Sequence, residues 1–468
     1  MAFKKKKKEI QTSLEPDTDF GPAPVKEKPE PVAELSPART RHTVSLDKRP
    51  LSKKQKKHVE DLWGPDKRSG QIDSYIGNLQ ADAGRKFGSD KVMAGNDTSN
   101  LLIGIPCPSL AFEYLLAQDV FPLGIVMHLA GPPATNKSAL SFEIMRWFIE
   151  AGGVCNLFEV ESKLSPDWMP SIIGYETVKR VIIDFCDSTE AWQQHLLFWL
   201  NSHKQKMAGT AEAPGPGRTI PVLMVVDSIM GKLALETQEK VNEKGHGGRS
   251  HPVEALEITQ WIKTVPHQFN TWPFTVLLLN HLKTGSDDQG REVKRTGGGA
   301  GTNFQESFEI WTGVRRSSIH CAEWDGKIIS LTCTKNSFGP TGRSIDIRVL
   351  WWDEEDPEHP EMSQQKTIFD WHWATVKLLV DLKGRESAEL KKVFHIKAPQ
   401  RSDVENTAWS ATLGMKAEDA VSWSEMGRMI SENAEVCDSI RKALGIKRRP
   451  LLAGDFGQQL QGMGKTTR

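Results

Sequence analysis

Two periods of apolar and polar residues alternate along the middle of the chain. Val154 to Val160, Arg180 to Phe185, Ile220 to Asp227, Phe274 to Asn280 and Phe308 to Val314 are short, apolar and rich in β-prone residues, and they predict strands. Between them, 137–151, 188–204 and 253–268 carry the spacing of helices. This order predicts an α/β fold, a mostly parallel central sheet with helices on its faces. Lys327 to Thr334 and Ser344 to Trp352 predict a closing hairpin around Gly339-Pro340-Thr341-Gly342. Upstream, Gln71 to Phe87 has helical spacing and Lys91 to Met93 reads as a short extended piece. Leu101 to Leu110 then leads through a helix at Ala117 and a turn at Phe121 to Gly124.

The periodicity stops at both ends and in two insertions. Residues 1–65 are rich in Lys, Glu and Pro with few large apolar side chains, which predicts a disordered arm. A helical segment is expected over 66–100, the α/β core over 101–353, and a mainly helical C-terminal domain over 354–468, beyond Asp353-Glu354-Glu355-Asp356-Pro357. Within the last, Phe369 to Leu382 and Ser424 to Leu444 suit helices, and Ser424 to Ile446 fits either ordinary helix packing or a DNA-reading helix-turn-helix. Leu235 to Ser250 and Lys283 to Gly301 are polar and Gly-rich, without periodicity, and follow predicted strand ends. In an α/β sheet, loops at the carboxyl ends of strands are where ligands bind.

Charge changes the picture only locally. The net charge of the 468 residues is zero, so no overall attraction to nucleic acid is implied, although residues 1–60 hold 15 Lys and Arg against 9 Asp and Glu. Cys107, Cys155, Cys186, Cys321, Cys333 and Cys437 form no C-x-x-C pair and read as reduced core thiols of a cytoplasmic protein. No apolar run approaches membrane-spanning length, and Lys4 to Lys8 precede no apolar signal core.

The chemistry is concentrated in Gly131-Pro132-Pro133-Ala134-Thr135-Asn136-Lys137-Ser138, which an apolar run enters and a helical run leaves, starting at Ala139. Backbone N–H groups at such a helix start suit nucleotide phosphates, with Lys137 on the β and γ phosphates and Ser138 on Mg²⁺. Asn136 stands where the phosphate-loop pattern has its second Gly, and Asn is among the residues that tolerate positive φ. Val222 to Asp227 is an apolar strand ending in an acid, so Asp227 is a second Mg²⁺ candidate, directly or through water. Glu159 and Glu161 follow one another by strand alternation, with Glu161 nearer the carboxyl end and preferred as the base that activates water.

Taken in order, these residues resemble the RecA-like DNA recombinases, especially the T4-type bacteriophage branch. The resemblance runs from about Gln71 through Trp352, and includes Ile103 to Leu110, Phe158 to Pro166, Leu223 to Ser228, Asn280-His281, Thr296-Gly297-Gly298 and Thr334-Lys335-Asn336. Lys137 and Glu161 stand 24 positions apart, as the family's loop Lys and catalytic Glu do. The resemblance implies ATP and Mg²⁺ as cofactors, Glu161 activating water, and His281 sensing the γ phosphate. It also implies Trp168 stacking on adenine, Lys335 reaching ATP across a subunit interface and Phe304 relaying between neighbours. Leu235 to Ser250 and Lys283 to Gly301 then look like two DNA-binding loops. Arg249, Lys283, Arg291, Lys294 and Arg295 would contact phosphates, and Thr296, Gly297, Gly298 and Gly299 would admit the strand closely. The sequence departs from the family at Asn136, at Ser337, where RecA has a second interface Lys, and at Gly290, where RecA has an aromatic.

The implied function is an ATP-dependent recombinase, a DNA-dependent ATPase that forms a helical homo-oligomeric filament on single-stranded DNA and pairs it with a homologous duplex. A single-strand-binding protein and a loader are further candidate partners, and the setting is the cytoplasm of a phage-infected bacterial cell. Two alternatives share the phosphate loop: a hexameric RecA-fold helicase, and an ATP-switched DNA-binding filament protein that hydrolyses poorly because of Asn136.

Overall fold

The structure is a computed structural model. It describes residues 78–79, 81–83, 85–86 and, from 102 to 459, all but 166, 232–252, 269, 287–291, 297–305, 321–323, 356–362, 383–421 and 457. The chain divides into two compact units, Met1–Ile72 and Asp73–Arg468; the first, and with it the whole of the predicted arm, lies outside the described residues.

The strands are β1 (Gly104–Pro106), β2 (Val120–Pro122), β3 (Ile125–Gly131), β4 (Val154–Glu159), β5 (Val181–Phe185), β6 (Val222–Asp227), β7 (Phe274–Ser286), β8 (Glu292–Thr296), β9 (Phe308–His320), β10 (Asp325–Asn336), β11 (Ser344–Glu355) and β12 (Ser363–Asp370). The helices are α1 (Leu110–Leu116), α2 (Lys137–Glu150), α3 (Trp168–Ile173), α4 (Thr189–Ala208), α5 (Val253–Thr264), α6 (Trp371–Leu382), α7 (Trp423–Glu432) and α8 (Ala434–Ala443). The main sheet has the order β12-β11-β10-β9-β3-β7-β6-β4-β5, with β8 paired to β7. From β9 through β3, β7, β6 and β4 to β5 every neighbouring pair is parallel. From β9 outward to β12 every pair is antiparallel.

Parallel strands buried on both faces are written as unbroken apolar runs, and β3 and β6 are buried at every position. Alternate residues divide between two cores. Leu223, Val225, Leu277 and Leu279 face the core that α1, α2, α6 and α7 share, whereas Met224, Val226, Val276 and Leu278 face the one under α4 and α5. Ser109 begins α1 and Ser188 begins α4 by accepting hydrogen bonds from Phe112 N and Ala191 N.

β7, β9, β10 and β11 run longer than the hydrophobic pattern predicts. β7 continues past Asn280 to Ser286 and pairs antiparallel with β8, from Leu282 opposite Thr296 to Ser286 opposite Glu292. The arms of the predicted irregular insertion are thus a two-stranded ribbon. Its residues are polar or small almost throughout, so no apolar stripe announces it.

The chain does not change packing partners at residue 354. β12 adds to the sheet beside β11, and Trp371, Trp373, Trp423 and Ile440 enter the same core as Phe112 and Phe148. The join is chemical as well as apolar. Glu143 of α2, 1% exposed, accepts at Oε1 from Trp147 Nε1 (3.1 Å), Trp371 Nε1 (2.8 Å) and Arg146 (2.5 Å). Arg441 of α8 meets the buried Glu113 of α1 through two 2.7 Å bonds. Among the described residues no helix is long and apolar enough to cross a membrane, and the described cysteines are free thiols.

Breaking a buried charged cluster leaves its remaining members unpaired, so Glu143→Ala is expected to cost about 3–5 kcal/mol. Trp371→Phe removes one bond to a charged acceptor and should cost about 1.5–3 kcal/mol. Equilibrium urea unfolding checks both; a Trp371→Phe protein as stable as the parent would show that this bond does not tie the C-terminal layer to α2.

Candidate nucleotide site

Because β3, β7, β6 and β4 run in parallel, their carboxyl ends meet at one edge of the sheet. The register sets Gly131 beside His281 and Glu159 beside Asp227. After Gly131 the chain turns through Pro132, Pro133, Ala134 and Thr135 and enters α2 at Lys137. Asn136 is left-handed, with φ 64 and ψ 30, so it closes the loop in the conformation a glycine would take. Ala134 is left-handed too, at φ 60, which its side chain gave no reason to expect. Gly131 is required by space, since a Cβ there would lie 2.0 Å from Thr312 Oγ1. Thr135 Oγ1 bonds the Pro132 carbonyl (2.8 Å) and pairs with Thr312 Oγ1 (2.6 Å), tying the loop to β9.

Lys137 Nζ donates to the carbonyls of Gly131 (3.0 Å) and Pro132 (2.9 Å) and is held inside the loop. Burial lowers its ammonium from the ordinary value, opposed by the negative charges of Asp227 and Glu161. Asp227 lies at the end of β6, and its peptide bond to Ser228 is cis. Burial pushes the Asp227 carboxyl up to about 6, against a hydrogen bond from Ser138, while Glu161 and Glu159 add to the rise. Ser138 and Asp227 therefore already sit side by side, the donor set a Mg²⁺ ion at a phosphate loop takes. Ala139 is buried in the first turn of α2.

Glu161 lies two residues past the end of β4, beyond the reach of strand alternation. Its Oε1 accepts from His281 Nε2 (2.9 Å) and Ser228 Oγ (2.7 Å), and its Oε2 from Lys163 Nζ (2.9 Å). The His281 bond is the largest of the effects that hold this carboxyl well below the usual carboxylate range. Partial burial opposes it, and Lys163 and Ser228 assist. Glu159 is buried and turned to another task, accepting from the Lys163 N–H at 3.0 Å. Ser228 and Lys163 were not distinguished by sequence reasoning, although each is within two residues of an acid that was.

The other expected residues fall in different places. Trp168 opens α3, its ring edge-on to Phe142 of α2 at 5.2 Å between centroids. Lys335 lies on β10 opposite Glu309, which is itself level with His128, three residues before the loop begins. It is therefore set back from the phosphate-loop end of its own sheet by about 10 Å of strand rise, and two strands across. Lys283 and Arg295 are Cα partners in the ribbon, as are Thr284 and Lys294, and Thr296 ends it. Arg249, Arg291, Gly297, Gly298, Gly299, Gly290 and Phe304 lie outside the described residues.

Comparison with known proteins agrees with this geometry. The chain is 23% identical over 288 residues to the protein RecA of Nocardioides sp., covering 61% of this chain and 74% of that one. It is 29% identical over 275 residues to the protein RecA of Tropheryma whipplei, covering 58% and 57%. With the protein RecA of Levilactobacillus brevis it shares 22% over 311 residues, covering 65% and 75%. No protein-family model matches. The chain is a distant relative of RecA proteins, with a RecA-like α/β core.

The raised Asp227 carboxyl has a definite sign. Its folded value lies above the ordinary 3.8, so its contribution to stability is present below pH 4 and is lost as pH rises through about 6. The ligand-free Asp227→Asn protein should therefore melt no lower than the parent at pH 8. Protons should also compete with Mg²⁺, so that Mg²⁺-dependent nucleotide affinity falls up to about tenfold per pH unit below 6. Calorimetric titration from pH 5 to 8 checks this, and Asp227→Asn should abolish the pH dependence.

Proposed function

We propose that the protein is an ATP-dependent DNA recombinase of the T4-type phage branch. It would form a helical filament on single-stranded DNA and pair it with a homologous duplex in an infected bacterial cell. The observation that carries this reading is the hydrogen bond between Glu161 and His281, because His281 sits on the same strand that becomes the ribbon bearing Lys283. A change at the nucleotide can thus reach the DNA-facing segment through one continuous strand.

The residues present fit ATP and Mg²⁺. Lys137, Ser138 and Asp227 would hold the phosphates and the ion, which when bound supplies charge neutralisation on the transferring phosphoryl group. Glu161 stays ionised and orients the attacking water, accepting its proton. His281 positions that carboxylate and exchanges its contact when the γ phosphate is present or gone. Trp168 would face the adenine. Lys335, set back from its own loop, would complete the site of a neighbouring protomer, which makes hydrolysis a property of the filament. Arg249, Lys283, Arg291, Lys294 and Arg295, with the glycines after Thr296, would follow the DNA backbone. A single-strand-binding protein and a loader remain the further partners.

A second reading is an ATP-switched filament with slow turnover. It is favoured by the low affinity of Glu161 for protons, which makes it a weak base, rather than by Asn136, whose backbone closes the loop normally.

ATP hydrolysis measured with and without single-stranded DNA, alongside pairing with a homologous duplex, tests the readings. Pairing with DNA-stimulated hydrolysis supports the recombinase, pairing without turnover the switch, and unwinding without pairing a helicase. In the same assays Glu161→Gln should cut hydrolysis by about two orders of magnitude or more while leaving an ATP-loaded, DNA-bound filament; loss of nucleotide binding would refute its role.

Charge removal at Lys294 and Arg295 is expected to weaken DNA binding and to lower the slope of log affinity against log salt by about 1 for each DNA phosphate left without its cation. An unchanged slope would take them out of the interface.

A further inference from the structure

On the opposite side of β3 from the chemistry just described lies a second polar cluster, buried and incompletely satisfied. His128 in the middle of β3 faces Glu306, just before β9, and Glu309, its register partner in β9. Their side chains are 0%, 1% and 11% exposed. His128 Nδ1 lies 3.1 Å from Glu306 Oε2 and 3.7 Å from Glu309 Oε1, and one donor atom from each of the three falls within 4.8 Å of the others. Yet neither nitrogen of His128 and neither oxygen of Glu306 has a hydrogen-bond partner. The 3.1 Å approach is close enough for a hydrogen bond but is not aligned as one.

Such a spacing has a simple origin. Two donors each about 2.1 Å from one ion lie roughly 3.0–3.4 Å apart when the angle between them is between about 90° and tetrahedral, as the 3.1 Å pair does, and the 3.7 Å pair corresponds to a wider angle of about 120–125°. We propose that His128, Glu306 and Glu309 form a site for a divalent transition-metal ion, distinct from the Mg²⁺ position at Ser138 and Asp227. One imidazole and two carboxylates, without a thiolate, match Zn²⁺ or Mn²⁺ better than Ca²⁺ or Cu⁺. Thr334 Oγ1 donates to Glu309 Oε2 at 2.6 Å, which leaves Oε1 turned to His128 and fixes the carboxylate as supporting hydrogen bonds do at metal centres. The ion would join the middle of β3 to the chain just as it enters β9.

Among the described residues the other grouping of this kind, Asp184 with Cys186 and His195, needs no ion. Asp184 already accepts from His195 Nδ1 and Trp199 Nε1, both at 2.9 Å.

The test uses the full chain, stripped with chelator, free of nucleotide, and titrated with Zn²⁺ against a chromophoric competitor and separately with Co²⁺. One tight equivalent is expected in the parent and in Asp227→Asn, with affinity at least about a hundredfold weaker in Glu306→Gln and His128→Gln. The Co²⁺ spectrum of the parent should show d–d bands without thiolate charge transfer, a readout that does not depend on the variants folding. The absence of a stoichiometric ion, as when Lys335 opposite Glu309 supplies the neutralising charge, would overturn the proposal. So would thiolate charge transfer, unaltered affinity in both variants, or loss of the site in Asp227→Asn.

Discussion

The parallel pairing of β3, β7, β6 and β4 delivers Gly131, His281, Asp227 and Glu159 to one edge of the sheet, and the electrostatics of the site follow from that convergence. Three acids and a lysine meet within a few residues of strand ends, in a region that the apolar strands keep poor in water. Burial works against the charged form of Lys137, Glu161 and Asp227 alike. The site instead separates their behaviour by hydrogen bonding: Glu161, with three donors, stays charged, whereas Asp227 takes up a proton near pH 6. Charge is thus held firmly at Glu161, whereas at Asp227 it is lost as pH falls through about 6.

The antiparallel flank has a different use. β9 lies between two regimes, parallel to β3 and antiparallel to β10, and its side chains serve both. Thr312 steadies the phosphate loop through Thr135, and Glu309 faces the buried His128. Glu309 and Thr312, three residues apart near the start of one strand, therefore serve the second polar cluster and the loop after β3 respectively.

Most of the parallel core was legible from its apolar runs, because a strand buried on both faces leaves no freedom in its composition. The tight turn from Gly131 into α2 was legible from residue type, and Asn136 takes there the left-handed backbone that a glycine would. The grip on Glu161 was not, since Ser228, His281 and Lys163 come from separate segments and only the fold joins them. The ribbon after His281 escaped for another reason: its residues are polar or small almost throughout, so no apolar alternation marks it. The C-terminal layer was read as separate from its helical pattern and acidic preface, signals that are local, whereas the bond from Trp371 to Glu143 spans 228 positions.

That bond gives α2 the mechanics of a lever. Its first turn carries Lys137 and Ser138, and Glu143, six residues on and about 9 Å along the axis, is anchored from outside by the Trp371 indole while Arg146 and Trp147 of the same helix share its carboxylate. With that anchor at the middle of the helix, six residues from Lys137 and seven from Glu150, the helix resists sliding and favours tilting. A small displacement at the phosphates would then emerge, reversed in direction, at Glu150 on the far arm.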